Sequence, residues 1–307
     1  MTQITAAMVK ELRESTGAGM MDVKNALTEA NGDKEQAVVI LRKKGLAAAG
    51  KKAGRVTAEG TIVAHVEGNT GVLVEVNCET DFVGRNENFK NFATEVAKVV
   101  AQSKAGSVEE LLAENWPGSS EPVSQKVAEQ IASIKENISL RRFARYDAPA
   151  NAAFGSYIHG GGKIGVLVEV VALSGENKAD LEEVARDIAM HIAAAEPRFL
   201  SREDVTEKDL ETEREIARDA AAKSGKPENI VEKMVTGKME KFYGEFCLLE
   251  QPYIRDDKAT VTQYLKNRGK ESGCEYTVTR FTRYKLGEGI EKRSEDFAAE
   301  VASYINQ

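Results

Sequence analysis

A six-residue string that occurs twice constrains this chain more than any other feature. Gly71-Val72-Leu73-Val74-Glu75-Val76 returns letter for letter as Gly165-Val166-Leu167-Val168-Glu169-Val170, 94 residues further on, and His65 and His159 keep the same spacing. Each copy opens with a Gly-containing strand pattern, Gly60-Thr61-Ile62-Val63 or Gly155-Ser156-Tyr157-Ile158. Each is followed by apolar residues at helical spacing: Phe89, Phe92, Val96 and Val99 in the first copy, Leu181, Val184, Ile188 and Ile192 in the second. A hairpin followed by a helix, made twice, predicts two related α+β subdomains.

The copies differ between strand and helix. Glu95-Val96-Ala97 aligns with Glu183-Val184-Ala185 at a spacing of 88, so the first connection is six residues longer. The additional length falls around Asn77-Cys78-Glu79-Thr80-Asp81-Phe82-Val83-Gly84-Arg85-Asn86. A loop enlarged on one copy of a duplicated scaffold is where a specialised contact is expected, because strands hold it while the loop tolerates change. Thr80-Asp81-Phe82-Val83 then has two readings. Either Phe82 tucks under the sheet at a strand end, or it projects from an exposed loop as an aromatic wedge, with Asp81 beside it as an anion able to compete for a cation.

Ahead of the first copy, residues 1–45 read as three short helices. Thr5 caps the first, with Met8, Val9 and Leu12 on one face, and Thr16-Gly17-Ala18-Gly19 breaks it. The second starts at Met20, carries Val23, Ala26, Leu27 and Ala30, and stops at Asn31-Gly32. Asp33 with Gln36 caps the third, which buries Ala37, Ile40 and Leu41 and is expected to end at Gly45. Ala47-Ala48-Ala49-Gly50-Lys51-Lys52-Ala53-Gly54 then reads as a flexible basic linker. Met20 and Met21 cannot both face inward on a helix, so one is expected in the core and the other outside, as an adaptable apolar contact or against the linker.

Between the copies, Ser107 with Glu110 caps a short helix, and Val127, Ile131, Ile134 and Ile138 mark another that runs into the strand-like Leu140-Arg141-Arg142-Phe143. After the second copy, residues 207–224 and 227–242 read as two helices joined by Gly225-Lys226. They hold few large apolar residues per turn, which predicts a protruding antiparallel hairpin suited to partner contact or to a homodimer. Strand patterns at 246–254 and 274–284 are expected to return the chain to the second sheet, and a last amphipathic helix carries Phe297, Val301 and Ile305. The expected division is a helical module and linker at 1–54, one core subdomain at 55–147, a second at 148–197 and 243–286, the hairpin at 198–242 and a C-terminal module at 287–307.

Composition narrows the function. A formal net charge of -7 disfavours nucleic acid as the default partner, because phosphate backbones reward a surplus of Lys and Arg. Lys51-Lys52 with Arg55, and Arg141-Arg142, are local basic clusters on an acidic chain. Cys78, Cys247 and Cys274 are odd in number and widely spaced, which fits a reducing cytosol and offers no metal or redox pair. The N-terminus carries no secretory pattern and no run reaches the length of a membrane span, so a cytoplasmic location without membrane contact is expected. Gly160-Gly161-Gly162-Lys163 precedes a strand and lacks the Ser or Thr of a phosphate cradle, so it reads as a hairpin turn. His65, His159 and His191 stand in no metal-binding pattern, and no nucleophile motif occurs. A binding protein, not an enzyme, with no catalytic residue, no metal and no cofactor, is the expectation.

The chain resembles the elongation factor Ts family over essentially its whole length. The matching residues are Leu12-Arg13-Glu14-Ser15-Thr16-Gly17-Ala18-Gly19-Met20-Met21-Asp22, Glu75-Val76-Asn77-Cys78-Glu79-Thr80-Asp81-Phe82-Val83, and the stretch from Ser224-Gly225-Lys226-Pro227 to Met234. The resemblance implies an N-terminal ubiquitin-associated-like module, a two-subdomain core, a protruding helical hairpin and a C-terminal module. It also implies that elongation factor Tu is the partner and that GDP is exchanged for GTP on it. Thr80, Asp81, Phe82 and Val83 would enter near the partner's magnesium and dislodge it, Arg13, Met20 and Met21 would hold the same domain, and His159 would meet another domain. An RNA- or ribosome-associated protein, with the basic clusters as its footprint, is the competing reading from composition and would show strong salt-dependent RNA binding.

Overall fold

The computed structural model describes residues 3–223 and 227–291. In chain order the helices and strands are α1 (Ala6–Thr16), α2 (Met20–Glu29), α3 (Lys34–Lys52), β1 (Glu59–Glu67), β2 (Thr70–Cys78), α4 (Asp81–Arg85), α5 (Glu87–Gln102), α6 (Val108–Ala113), α7 (Val123–Ile134), β3 (Ile138–Asp147), β4 (Ala152–His159), β5 (Ile164–Ser174), α8 (Lys178–Ala195), α9 (Glu207–Ala222), α10 (Glu228–Phe246), β6 (Pro252–Tyr253), β7 (Asp256–Thr260), α11 (Val261–Ser272) and β8 (Glu275–Lys285). This is the α+β mixture expected. Two compact units divide the chain: one takes residues up to Ile62, Val74–Phe143 and the segment from Lys285, the other takes Val63–Leu73 and Ala144–Tyr284.

In the first unit the N-terminal helices form where local chemistry asks for them. The Thr5 hydroxyl accepts the Met8 N–H, the Asp33 carboxylate accepts the Gln36 N–H, and Gly17 ends α1 in the left-handed region. Leu12, Val23, Ala26, Leu27 and Ala37 are buried between the three helices, with Ile40 and Leu41 packed around them. The third helix departs from expectation. It runs through Gly45 to Lys52, so the segment read as a linker is helical. Ala47, Ala48 and Ala49 favour helix, and Gly45 is buried against Ala128 and Ala132 of α7, so tertiary packing carries the helix past a residue that alone favours a stop. The Lys52 ammonium then donates to the Lys135 carbonyl at 2.5 Å.

The duplicated hairpin-and-helix is present in both copies, as β1-β2-α5 and β4-β5-α8, and the described sheets order as β1-β2-β3 and β4-β5-β8. The helical residues named from spacing, Phe89, Phe92, Val96, Val99, Leu181, Val184, Ile188 and Ile192, are all buried. The turn between β4 and β5 needs its glycines: Gly160, Gly161 and Gly162 all have positive φ.

The third strand belongs to the repeat as well. Arg142-Phe143-Ala144-Arg145-Tyr146 on β3 corresponds to Arg280-Phe281-Thr282-Arg283-Tyr284 on β8. Both copies use that strand to neutralise the buried glutamate of the repeated string. Glu75 accepts from Arg141 Nη1 at 2.9 Å, Arg142 Nε at 2.6 Å and the Gly287 N–H at 2.8 Å. Glu169 accepts from Thr279 Oγ1 at 2.5 Å and Arg280 Nη2 at 2.6 Å. Burial pushes the Glu75 carboxyl up, but the Gly287 N–H and the two guanidiniums outweigh it and hold the group below the usual carboxylate range. From glutamate to arginine the second copy is 44 residues longer than the first (111 against 67), and that length holds α9, α10, β6, β7 and α11.

Three further expectations change. Lys135 ends α7 in the left-handed region, and Ile138 opens β3 instead of closing the helix. Residues 246–254 do not add a strand to the second sheet. Phe246 closes α10, Leu248–Glu250 is a 3₁₀ turn, and only Pro252–Tyr253 is extended, paired with β7. The buried Gln251 amide enforces the turn by donating to the Ala195 and Glu245 carbonyls. Helix α11 leaves little helical signal in the sequence, because it buries only Val261, Leu265 and Gly269 and carries no apolar stripe. Helices α9 and α10 pack on each other, burying Ala217, Ala221, Met239 and Phe242. Gly225-Lys226 and the helix expected around Phe297, Val301 and Ile305 lie outside the described residues.

Candidate functional site

The connection that is six residues longer in the first copy holds a single helical turn, α4, and is not an extended loop. Thr80 caps it: Oγ1 accepts the Val83 N–H at 3.4 Å and the carbonyl accepts the Gly84 N–H at 3.1 Å. Five residues of helix cannot hold themselves together in water, so the surroundings must. The Glu136 carboxylate does much of this, accepting the Glu79 and Thr80 N–H groups at 3.0 Å each on Oε2 and the Thr80 hydroxyl at 2.6 Å on Oε1. Glu79 points the other way, accepting the Asn137 N–H at 2.5 Å and pairing with Arg55 at 3.2 Å, while the Asn137 amide donates to the Arg55 carbonyl.

Beneath the turn, Gly84 lies on Gly60 of β1. A Cβ on Gly84 would stand 2.8 Å from the Gly60 carbonyl oxygen, so the contact needs glycine. Gly60, with φ of 139°, itself lies against the Val76 carbonyl and Asn77 of β2. The Cys78 thiol donates to the Thr80 carbonyl at 3.1 Å. Burial, reinforced by the Glu136 charge, pushes that thiol up to about 12, so it remains a protonated donor.

This bracing leaves Phe82 in solvent at 83% exposure. Of the two readings of the sequence, the projecting side chain is the one observed. Asp81 pairs with Arg85 one turn on, at 2.9 Å, and Val83 is half-buried. Neither Glu136 nor the Gly60 and Gly84 pair was singled out from sequence. Gly60 and Gly84 are two ordinary-looking glycines 24 positions apart, and Glu136 is one acid after a helix end.

Arg13, Met20 and Met21 form a second exposed group in the same unit. Both methionines are exposed, against the expectation that one would be core. The buried face of α2 begins at Val23, and the first turn extends past it. With Ile4, Val9 and Asn88 they line a groove of about 920 Å³. His159 ends β4 in the other unit, exposed, its Nδ1 3.3 Å from the Tyr157 hydroxyl. His65, its counterpart, is half-buried beside Glu67, and His191 is fully buried. Among the described residues no three His, Cys, Asp or Glu side chains gather to hold a metal, and no helix is long and apolar enough to cross a membrane.

Comparison with known proteins identifies the family. The family model described as Elongation factor TS matches residues 79–288. The chain is 55% identical to an elongation factor Ts of Syntrophotalea carbinolica, covering 98% of this chain and 99% of the relative. It is 52% identical to that of Trichlorobacter lovleyi over 98% of both chains, and 52% identical to that of Clostridium perfringens over 97% and 98%. Matched over most of its length by the family model and over nearly all of it by these relatives, the chain belongs to the elongation factor Ts family, the nucleotide exchange factors of translation.

Proposed function

We propose that this protein binds elongation factor Tu carrying GDP and promotes GDP release, with α4 disturbing the partner's magnesium and phosphate site. The observation that carries the reading is Phe82, an aromatic side chain held in solvent by a turn that is itself tied down from several sides. A side chain with no packing role in its own fold is available to one elsewhere. In this reading Phe82 wedges against the partner's nucleotide-binding domain, Thr80 and Val83 fix its direction, and Asp81 is the anion brought towards the cation. Asp81 would exchange Arg85 for that interaction, and the ion pair is exposed enough to break at small cost.

Arg13, Met20 and Met21 would grip the same domain of the partner, methionine suiting a contact that must adapt during exchange. His159 would contact a different domain. The hairpin of α9 and α10 would serve partner contact or self-association, and the division into a helical module, two core subdomains, hairpin and C-terminal module would follow these contacts. Weakening magnesium coordination loosens the nucleotide without breaking a covalent bond, so the reading needs neither a catalytic residue nor a cofactor of the protein's own. Exchange is then linkage: factor and nucleotide lower each other's affinity by the same ratio, so GDP leaves as the factor binds and GTP later expels it. The cytoplasm, where translation proceeds, is the proposed location.

The test is GDP release from elongation factor Tu with and without this protein. Acceleration is expected. An unaltered release rate would remove the proposal, and an unaltered effect of the Phe82→Ala variant would remove the wedge.

A further inference from the structure

We infer that Glu136 is a positioning residue for nucleotide exchange, holding α4 in the pose that presents Phe82; the inference rests on the reading of Phe82 as the wedge. Glu136 lies in the short connection between α7 and β3, directly after Lys135, whose φ of 69° is unusual for a residue other than glycine. Its carboxylate takes three donors at the base of α4: the Glu79 N–H, the Thr80 N–H and the Thr80 hydroxyl. The two N–H groups precede the helix and find no acceptor within it. Holding the Thr80 hydroxyl also orients its oxygen to accept the Val83 N–H, so the tether and the cap form one chain of hydrogen bonds.

The residues around Glu136 serve the other exposed group of this unit. The Lys135 ammonium pairs with Asp22 at 3.0 Å, two positions after Met20, and the Lys135 carbonyl receives the Lys52 ammonium. The Ser133 hydroxyl donates to the Gly17 carbonyl at 3.0 Å, where α1 turns towards α2. Residues 133–137 therefore grip the helix that carries Met20 and Met21 and the turn that carries Phe82. One short segment sets the separation and orientation of the two surfaces.

A tether of this kind acts on presentation more than on folding. Phe82 contributes little to the core, so loosening the N-terminal end of α4 exposes little buried apolar surface, provided Gly84 stays seated on β1. The effect should appear when the bound complex must be driven towards nucleotide release, because a mobile wedge pays its ordering entropy at that step.

The experiment uses the full chain and elongation factor Tu loaded with fluorescent GDP. Maximal release rate and half-saturating concentration are measured for Glu136→Ala, Glu136→Gln, Thr80→Val, Phe82→Ala and the Glu136→Ala/Phe82→Ala pair, with thermal melting as a check on folding. Glu136→Ala is expected to lower the maximal rate roughly tenfold, the loss of about one charge-assisted hydrogen bond at the critical step, with little change in half-saturation. Glu136→Gln should stay within about twofold, because its amide oxygen still accepts and its amide nitrogen can donate to the Thr80 oxygen. Thr80→Val, which removes only the hydroxyl contact and the cap, should lie between them. On the Phe82→Ala background Glu136→Ala should cost nothing more, since it acts through Phe82. Hydrogen exchange at Val83 and Gly84 should quicken in Glu136→Ala while the melting temperature holds. A full maximal rate for Glu136→Ala and Thr80→Val, or additive losses in the pair, would overturn the inference while leaving a slow Phe82→Ala intact. A Phe82→Ala variant as fast as the unmodified protein would instead overturn the wedge itself.

Discussion

Replacing Phe82 with alanine separates packing from function. A phenylalanine covers about 150–250 Å² when fully buried. At 83% exposure, about 35 Å² is sheltered here, an upper bound of about 0.9 kcal/mol at 25 cal/mol per Å². The expected loss of stability is therefore below about 1 kcal/mol, a fall in melting temperature of no more than about 4 °C for a chain of this size. The area still open, about 165 Å², would contribute about 4 kcal/mol if the partner covered it all. Ordering and incomplete coverage reduce that to about 2–4 kcal/mol, the range of aromatic anchors at protein interfaces. If the contact strengthens on the way to GDP release, the rate should fall between about 30-fold and about 1000-fold. Stopped-flow release of fluorescent GDP from elongation factor Tu, alongside thermal melting of the isolated variant, measures both sides. A rate loss under about threefold (about 0.7 kcal/mol) would refute the wedge. So would a loss of stability as large as the loss of transition-state energy, since Phe82 would then be a packing residue.

The other predictions concern the supports. Gly84→Ala sets a Cβ 2.8 Å from the Gly60 carbonyl, so α4 must lift from β1, at a cost of about 1–3 kcal/mol; slower GDP release with a lower melting temperature is expected, and unmodified values for both would count against the bracing. His191 accepts the Ile254 N–H on Nδ1 at 3.3 Å, which makes Nε2 the nitrogen that donates to Gln251 Oε1 at 3.0 Å. Burial lowers its pKa below the ordinary 6.5, only partly offset by the Gln251 bond. The unfolded chain then binds a proton that the folded one refuses, so this stability is complete above pH 6.5 and is lost as pH falls below it, by up to about 1.4 kcal/mol per pH unit until the folded group titrates. Melting followed from pH 7.5 to 5 should show the decline, and His191→Gln should flatten it. Glu75→Ala leaves Arg141 and Arg142 without their buried partner and should cost about 2–3 kcal/mol in urea unfolding, less than for a fully buried pair because both guanidiniums reach water. Because the Glu75 carboxyl is held below 4.5, its contribution persists above that pH and is lost as pH falls through the lowered value.

Much of the architecture was legible in the chain because it was written twice or written locally. The literal repeat at Gly71 and Gly165 located both hairpins, and helical spacing located α5 and α8. Thr5, Asp33 and Ser107 cap their helices as read, since a cap depends on three or four neighbouring residues. The third strand of the repeat was legible too, in Arg142-Phe143 and Arg280-Phe281, but the 44-residue difference in spacing concealed it from a search at one fixed offset. At the site, an enlarged connection and an aromatic in it could be read, whereas the direction of that aromatic could not.

The sequence by itself determined which segments are helix or strand wherever periodicity and capping agree, because those preferences act over a few residues. It also determined where the two copies diverge. Tertiary structure decided what those preferences left balanced. Alpha-helix α3 continues past Gly45 because α7 lies against it, and Met20 joins Met21 outside because the buried face of α2 starts at Val23. Phe82 points into solvent because Glu136 and Gly60, both distant along the chain, hold the turn beneath it together with the adjacent Cys78 thiol. The Glu136 tethers join residues as many as 57 positions apart, and their geometry exists only once the intervening chain has folded.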